Sequence, residues 1–141
     1  MNDSDFEEFQ YKLNLMLEKN RLDSFNNKWV FDDSKPCNAK KLAEAGFYYT
    51  GTEEEPDFVQ CFFCDKQLVG WEEEDDPWQE HLHRSPQCEF AKHNKLEMEL
   101  TLAQFIQLRE KLVMKLFKKW MSKRDEQFEW MFKMINELKR R

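Results

Sequence analysis

Glycine and proline are scarce in this 141-residue chain, with three and four copies, and no run of 18 apolar residues occurs. The missing run excludes a membrane-spanning helix, so no membrane partner is expected. No glycine-rich phosphate loop is present, which removes the common nucleotide-binding motifs. No basic-then-apolar leader opens the chain, and a soluble, intracellular protein is expected. Histidine is limited to three positions and cysteine to four. Neither His83 nor His93 has an obvious nucleophile beside it, and Cys37 lacks an activating neighbour. Nucleophilic catalysis needs such a pairing, so no catalytic residue is assigned and an enzyme is not expected. The length suits one compact domain plus an extension.

Charge is unevenly placed. The formal net charge of −6 argues against bulk DNA binding and offers no basis for direct sequence-specific nucleic-acid recognition. Residues 51–80 hold eleven acids against the single base Lys66, whereas residues 111–141 hold ten bases and four acids. Solvated faces are the default reading of such runs. An acidic block beside a peptide groove would instead favour a cationic ligand end.

Three of the four cysteines fall in Cys61-x2-Cys64-x16-His81-x6-Cys88. A Cys-x2-Cys turn points two thiolates at one ion, and a distant His and Cys complete a tetrahedron. Four protein ligands leave no open position for water, so one structural zinc ion is the expected cofactor. Scattered reduced thiols or a disulfide are the alternatives. Cys37, left without a partner, fits a reducing compartment.

The expected fold class is α+β. Ser4-x-x-Glu7 has capping-box spacing, and Phe6, Phe9, Leu13 and Leu17 recur on one face, predicting a helix over about 5–19. Asn38 is placed to cap a short helix closed by Gly46. Phe47–Tyr49, Phe58–Cys61 and Gln67–Trp71 read as strands of a three-stranded antiparallel sheet. Asp76 with Pro77 at N1 opens a further helix that carries His81 to the thiolates. Burial alone stabilises so small a core poorly, so the metal is expected to decide whether it folds.

Thr101 and Gln104 form a second capping box, with Leu100 and Phe105 placed as a hydrophobic staple. No proline or glycine follows, which predicts one long C-terminal helix of about 40 residues, roughly 60 Å. Positions 114, 117, 121, 124, 128, 131, 135 and 138 alternate three and four apart. Seven are apolar (Met114, Phe117, Met121, Phe128, Met131, Ile135 and Leu138), and Arg124 is the exception. Leu102, Phe105, Ile106, Leu112, Val113, Leu116 and Trp120 make a second surface nearer the start, while Trp130 and Met134 lie off the seam. Only the first two turns have a purely internal alternative. Exposed aromatic area on this scale predicts assembly with a second copy or with partners.

Lys66-Gln-Leu-Val-Gly-Trp71 followed by Glu72-Glu-Glu-Asp-Asp76 combines a strand edge with carboxylates. Such an edge can take up an extended peptide by strand addition. Spacing alone leaves Leu68 and Trp71 equally readable as pocket lining or as ordinary core.

Several longer segments carry a family resemblance. Leu42-Ala-Glu-Ala-Gly-Phe-Tyr-Tyr-Thr-Gly51, Glu55-Pro-Asp-Phe-Val-Gln-Cys-Phe-Phe-Cys64, Gly70-Trp71 and Asp75-Asp76-Pro77-Trp78-x-Glu80-His81 resemble the baculovirus inhibitor-of-apoptosis repeat (BIR). Arg21-x-x-Ser24-Phe25 and Trp29 are similar to its opening. The resemblance spans roughly residues 15–93. One repeat, one long helix and no second cysteine cluster resemble the survivin-type branch of the family. The division it implies is a helical segment over 1–20, a zinc-binding BIR domain over 15–93 and an interaction helix over 94–141.

The resemblance also implies a function. Survivin-type proteins are non-enzymatic subunits of the chromosomal passenger complex, acting in mitosis at the centromere, the kinetochore and later the spindle midzone. A localisation to nucleus and cytoplasm follows. The groove is expected to hold a histone tail beginning Ala-Arg-phosphoThr. Asp75, with Glu80, would bind the α-ammonium, Leu68 and Trp71 would enclose the Ala methyl, and Lys66 would approach the phosphate. Two positions depart from the family pattern: Val69 where an acid is common, and Arg84 where a His is common. Arg84 suits phosphate, since guanidinium binds it bidentately. The long helix would bundle with an inner-centromere scaffold protein and a borealin-like subunit, tethering an Aurora-type kinase indirectly. A homodimer through Leu102 and Phe105 is the other assembly expected, and apoptosis inhibition through Ala-Val-Pro-type N-termini or caspases is the rival function.

Overall fold

The apolar alternation over 47–68 builds a meander, and the rest of the domain packs around it. The computed structural model describes residues 2–140. In chain order it contains α1 (Asp3–Asn14), α2 (Glu18–Phe25), α3 (Ala39–Glu44), β1 (Phe47–Tyr49), β2 (Val59–Cys61), β3 (Gln67–Leu68), α4 (Pro77–Arg84), α5 (Glu89–His93) and α6 (Leu102–Lys139). The sheet is antiparallel in the order β1-β2-β3, with Phe47 opposite Cys61 and Val59 opposite Leu68. Strands β2 and β3 are shorter than the sequence suggests. Gly70 turns to φ +81 and ends β3 before Trp71.

Local signals fix the helix starts. Asn38 Oδ1 accepts from Lys41 N at 2.9 Å, and Asp76 Oδ1 accepts from Trp78 N at 3.0 Å and Gln79 N at 3.4 Å. Each bond satisfies an amide that has no partner inside its helix. Thr101 and Gln104 exchange both bonds of a capping box, at 3.1 and 3.0 Å. After α3 the chain turns at Gly46, with φ +99, and a Cβ there would meet the Phe90 ring at 2.7 Å. Both the turn and the ring therefore require glycine.

The N-terminal helix expected over 5–19 is two helices. α1 starts at Asp3 on the cap Asn2, whose Oδ1 accepts from Asp5 N at 2.8 Å, so Ser4 is not the cap. The chain breaks after Asn14 and buries Leu15 and Met16, while Phe6 and Leu17 of the expected face stay exposed. Arg21 is the physical reason. It is 1 % exposed, and its Nη1 donates to Leu15 O and Met16 O, both at 2.9 Å. Its Nε donates to Ala43 O at 2.9 Å. The guanidinium lies 4.6 Å from the Phe62 ring centroid and 5.5 Å from that of Phe90. Burial pulls its pKa down to about 10, so it remains charged at neutral pH. A charged fork held by carbonyls and ring faces welds the break between α1 and α2 to α3.

α6 extends about 57 Å at the usual rise of 1.5 Å per residue. Its start belongs to the core: Leu108 and Leu112 are buried, and Leu100, Phe105 and Leu116 pack half-buried against the same cluster. α1 lies alongside the next turns. The internal part thus runs beyond the first two turns, to which the internal alternative is confined, and Leu100 and Phe105, expected at an assembly interface, pack against the core of the chain itself. Every described residue from Met121 onward is exposed.

Replacing Arg21 by Lys keeps the charge but cannot reproduce three fixed donors. The loss of charge-assisted bonds should destabilise the domain by about 2–4 kcal/mol. Guanidinium denaturation followed by tryptophan fluorescence measures it, and an unchanged midpoint would contradict the welding role.

Candidate metal centre and peptide groove

Cys61 closes β2 and Cys64 sits in the turn toward β3, while His81 comes from α4 and Cys88 stands at the start of α5. Sheet, turn and helices thereby bring the four ligand atoms within 4.8 Å of one another. Cys61 Sγ lies 4.0 Å from Cys88 Sγ, and Cys64 Sγ lies 3.6 Å from His81 Nε2. Tetrahedral zinc with bonds of about 2.3 Å to sulfur and 2.0–2.1 Å to nitrogen spaces its ligands by about 3.8 Å (S···S) and 3.6 Å (S···N). The cluster therefore fits zinc.

The surroundings aim the ligands. His81 Nδ1 donates to Ala45 O at 2.7 Å, which directs Nε2 at the thiols. Phe63 N and Cys64 N point at Cys61 Sγ, at 3.3 and 3.4 Å, and Ser85 Oγ donates to Cys64 Sγ at 3.3 Å. Burial pushes the Cys61 thiol up, whereas hydrogen bonds from Cys61 and Cys88 hold Cys64 far below the ordinary thiol range. Burial pulls His81 down, but the Cys64 and Cys88 thiols outweigh it and raise it to about 9. The site favours positive charge at its centre, which a divalent cation supplies with the imidazole neutral.

Cys37 stands apart. It is fully buried, and burial, with Asp75 and Glu80 adding to it, pushes its pKa up to about 12. It is an inert core thiol.

The second site is a cavity of about 470 Å³ along the edge strand β3. Lys66, Leu68, Val69, Trp71, Asp75, Glu80 and Arg84, the seven residues singled out in the sequence, all line it, together with Gln67, Gly70 and Glu72. The β2 pairing uses one side of β3, and its outer side is the free edge. Both readings of Trp71 hold at once. The ring is 8 % exposed and meets Phe47 edge-on at 5.6 Å, yet it also walls the groove. Its Nε1 is buried without a hydrogen-bond partner.

A short turn holds the acids. Asp75 Oδ2 accepts from Glu72 N at 2.8 Å, and Asp75 N donates to Glu72 O at 3.1 Å. Cys37 N donates to Glu73 O at 3.1 Å, and Lys35 Nζ pairs with Glu73 at 2.9 Å. Gly70 N donates to Asp57 Oδ2 at 2.7 Å, pinning the end of β3. Across the groove, Arg84 Nε lies 3.6 Å from Glu80 Oε2, one helical turn away on α4. Val69, 56 % exposed, leaves that wall without a carboxylate. Asp57 escaped the sequence reading because its carboxylate acts on a main-chain amide thirteen residues on, a pairing that residue type does not announce.

The proposed assembly residues divide in two. Phe117, Met121, Phe128, Met131, Ile135 and Leu138 project as exposed side chains, and Leu102, Ile106 and Met114 are exposed nearer the domain. Val113 and Trp120 are half-buried. Leu108, buried and central to the docking of α6, was missed because it belongs to neither apolar series counted in the sequence.

Comparison with known proteins agrees with this geometry. Residues 21–92 match the family model of the BIR, or Inhibitor of Apoptosis, domain. Baculoviral IAP repeat-containing protein 5 of Cavia porcellus is 42% identical over 113 residues, covering 79% of this chain and 79% of that protein. The protein of the same name in Mus musculus is 45% identical over 94 residues, covering 67% of this chain and 66% of that protein. Baculoviral IAP repeat-containing protein 5.2-A of Xenopus laevis is 47% identical over 88 residues, covering 62% of this chain and 55% of that protein.

Strong chelation or Cys64→Ala should unfold the domain while α6 retains much of its helical signal. Maleimide labelling should reach none of the four thiols in the metal-loaded protein and all four after chelation. Rapid labelling of Cys37 in the loaded protein would contradict its packing.

Proposed function

Since the chain belongs to the BIR family and is a survivin-like, single-repeat member of it, we propose that it is a non-enzymatic, zinc-stabilised adaptor of the chromosomal passenger complex. The observation that carries this reading is the composition of the β3 groove. Carboxylates (Asp75 and Glu80) and cations (Lys66 and Arg84) line one cavity beside a free strand edge. That combination suits an extended peptide with a free α-ammonium and a phosphate on a nearby residue. A histone tail beginning Ala-Arg-phosphoThr has that chemistry. Guanidinium at Arg84 favours phosphate over the apolar peptide position of Ala-Val-Pro ligands, which places caspase-type or apoptotic N-terminus binding second.

The distal half of α6 supports the assembly role. With 3.6 residues per turn, the seam through Phe117, Met121, Phe128 and Ile135 lies about a third of a turn from Trp130 and Met134. All six are exposed. Two apolar stripes so spaced suit a helix lying between two others, as in a bundle with a scaffold helix and a borealin-like helix, more than a two-stranded pair. A mitotic kinase carried by the scaffold would then be brought to chromatin, with the protein at the centromere early in mitosis and at the midzone later.

Titration calorimetry should give tighter binding of Ala-Arg-phosphoThr than of Ala-Arg-Thr, and Arg84→Ala should remove about tenfold to a hundredfold of that preference. N-terminal acetylation or Asp75→Ala should abolish binding. Tighter binding of Ala-Val-Pro would move the apoptotic reading to the front.

Phe117→Glu with Phe128→Glu puts unpaired charge into the seam. Pull-down of scaffold helices should fail while the metal-loaded domain stays folded by tryptophan fluorescence. Retained binding would refute the seam.

A further inference from the structure

A second cavity, of about 300 Å³, opens between α1, α6 and the turn after β2, far round the α6 circumference from the seam. Its apolar lining comes from Phe9 of α1, Phe62 and Phe63 of the turn, and Leu112, Leu116 and Trp120 of α6. This size lies at the lower end of the roughly 300–1,000 Å³ usual for ligand pockets. It suits one or two inserted side chains rather than a whole helix.

The rim is basic. Five lysines line it, at 12, 115, 118, 119 and 123, against three carboxylates, Asp5, Glu8 and Asp65. The excess of two positive charges occurs in a chain whose formal charge is −6. Three of the lysines are engaged. Lys12 Nζ donates to Tyr48 OH at 2.7 Å, Lys115 Nζ donates to Phe63 O, and Lys123 Nζ lies 4.0 Å from Glu8. Among the described residues Lys118 and Lys119 form no ion pair.

The chain supplies a template for what such a surface accepts. α1 carries Asp3, Asp5, Glu7 and Glu8 in its first two turns, and it lies against this basic stretch of α6 with Phe9 in the groove. It buries no residue completely, so it leaves the apolar floor only partly covered. An acidic helix with an aromatic anchor is thus what α6 already binds at one side of the cleft.

We propose that the α1–α6 cleft docks an acidic, amphipathic segment of another protein. One or two aliphatic or aromatic side chains of that segment would enter the floor, and flanking carboxylates would pair with Lys118 and Lys119. The sign of the rim disfavours a basic partner, and the apolar floor distinguishes the cleft from a plain phosphate-binding surface. The docking does not depend on the β3 groove or on the seam.

The test uses the full chain, metal-loaded, and a fluorescent 16-residue helical peptide bearing two Leu anchors and four Glu. A matched peptide with Lys for Glu and vesicles containing phosphatidylserine serve as the other arms. Anisotropy should show binding of the acidic peptide at least tenfold tighter than that of the basic one, and two-dimensional NMR should shift the Trp120 indole. Lys118→Glu with Lys119→Glu, both on the surface, should lose the acidic peptide by at least tenfold and gain the basic one. Met131→Glu with Ile135→Glu, farther along α6 than any residue lining the cleft, should leave the affinity unchanged, which separates this site from the seam. Equal affinity for the two peptides, no binding, or an unaltered affinity in the Lys118/Lys119 variant overturns the proposal. So does vesicle binding in place of peptide binding, which would assign the lysines to a lipid surface.

Discussion

Four side chains aimed at one point tie together three short elements of the domain. Cys61 and Cys64 belong to the hairpin, His81 to α4 and Cys88 to α5. None of these elements exceeds eight residues, too short to be stable alone. The groove inherits its shape from this junction. Its cationic wall, Arg84, follows His81 by three residues on α4, and its strand floor follows Cys64 by a few residues on the hairpin. Positioning the metal ligands therefore positions the peptide wall and floor with them.

Arg21 plays the corresponding part for the N-terminal helices. Its three donors close the α1–α2 break, the end of α3 and the Phe62–Phe90 aromatic layer into one unit. The Phe62 amide in turn bonds Gly46 O at 3.0 Å, and Phe90 fills the space that a side chain at Gly46 would claim. A buried charge satisfied by carbonyls and ring faces is stabilising only in this complete arrangement, because a missing acceptor leaves the guanidinium desolvated.

What could be read from the sequence was local. The caps at Asn38, Asp76 and Thr101 and the uninterrupted α6 each depend on residues a few positions apart, and the metal ligands announce themselves by residue type and by the short Cys61–Cys64 and His81–Cys88 spacings, although sixteen residues separate the two pairs. The residues of the β3 groove are also nearly consecutive, apart from Glu80 and Arg84, which the helix cap at Asp76 brings into range. The α1–α2 break was not legible, because Phe6, Phe9, Leu13 and Leu17 keep helical spacing and the cause of the break is a bond from Arg21. Leu108 escaped for a similar reason. Whether a helix face meets its own domain depends on how far the chain between Cys88 and Thr101 travels, and no spacing within α6 records that.

α6 is clamped at one end through Leu108 and Leu112 and then runs without glycine or proline to Lys139. Mechanically this is a ruler with a fixed azimuth. The distance and bearing from the peptide groove to each turn of the seam are set by residue count alone. Inserting one residue after Leu112 would advance the outer half by 1.5 Å but swing it by about 100°. Every contact surface would survive chemically and yet face the wrong way, so the phase of this helix carries as much information as the side chains on it.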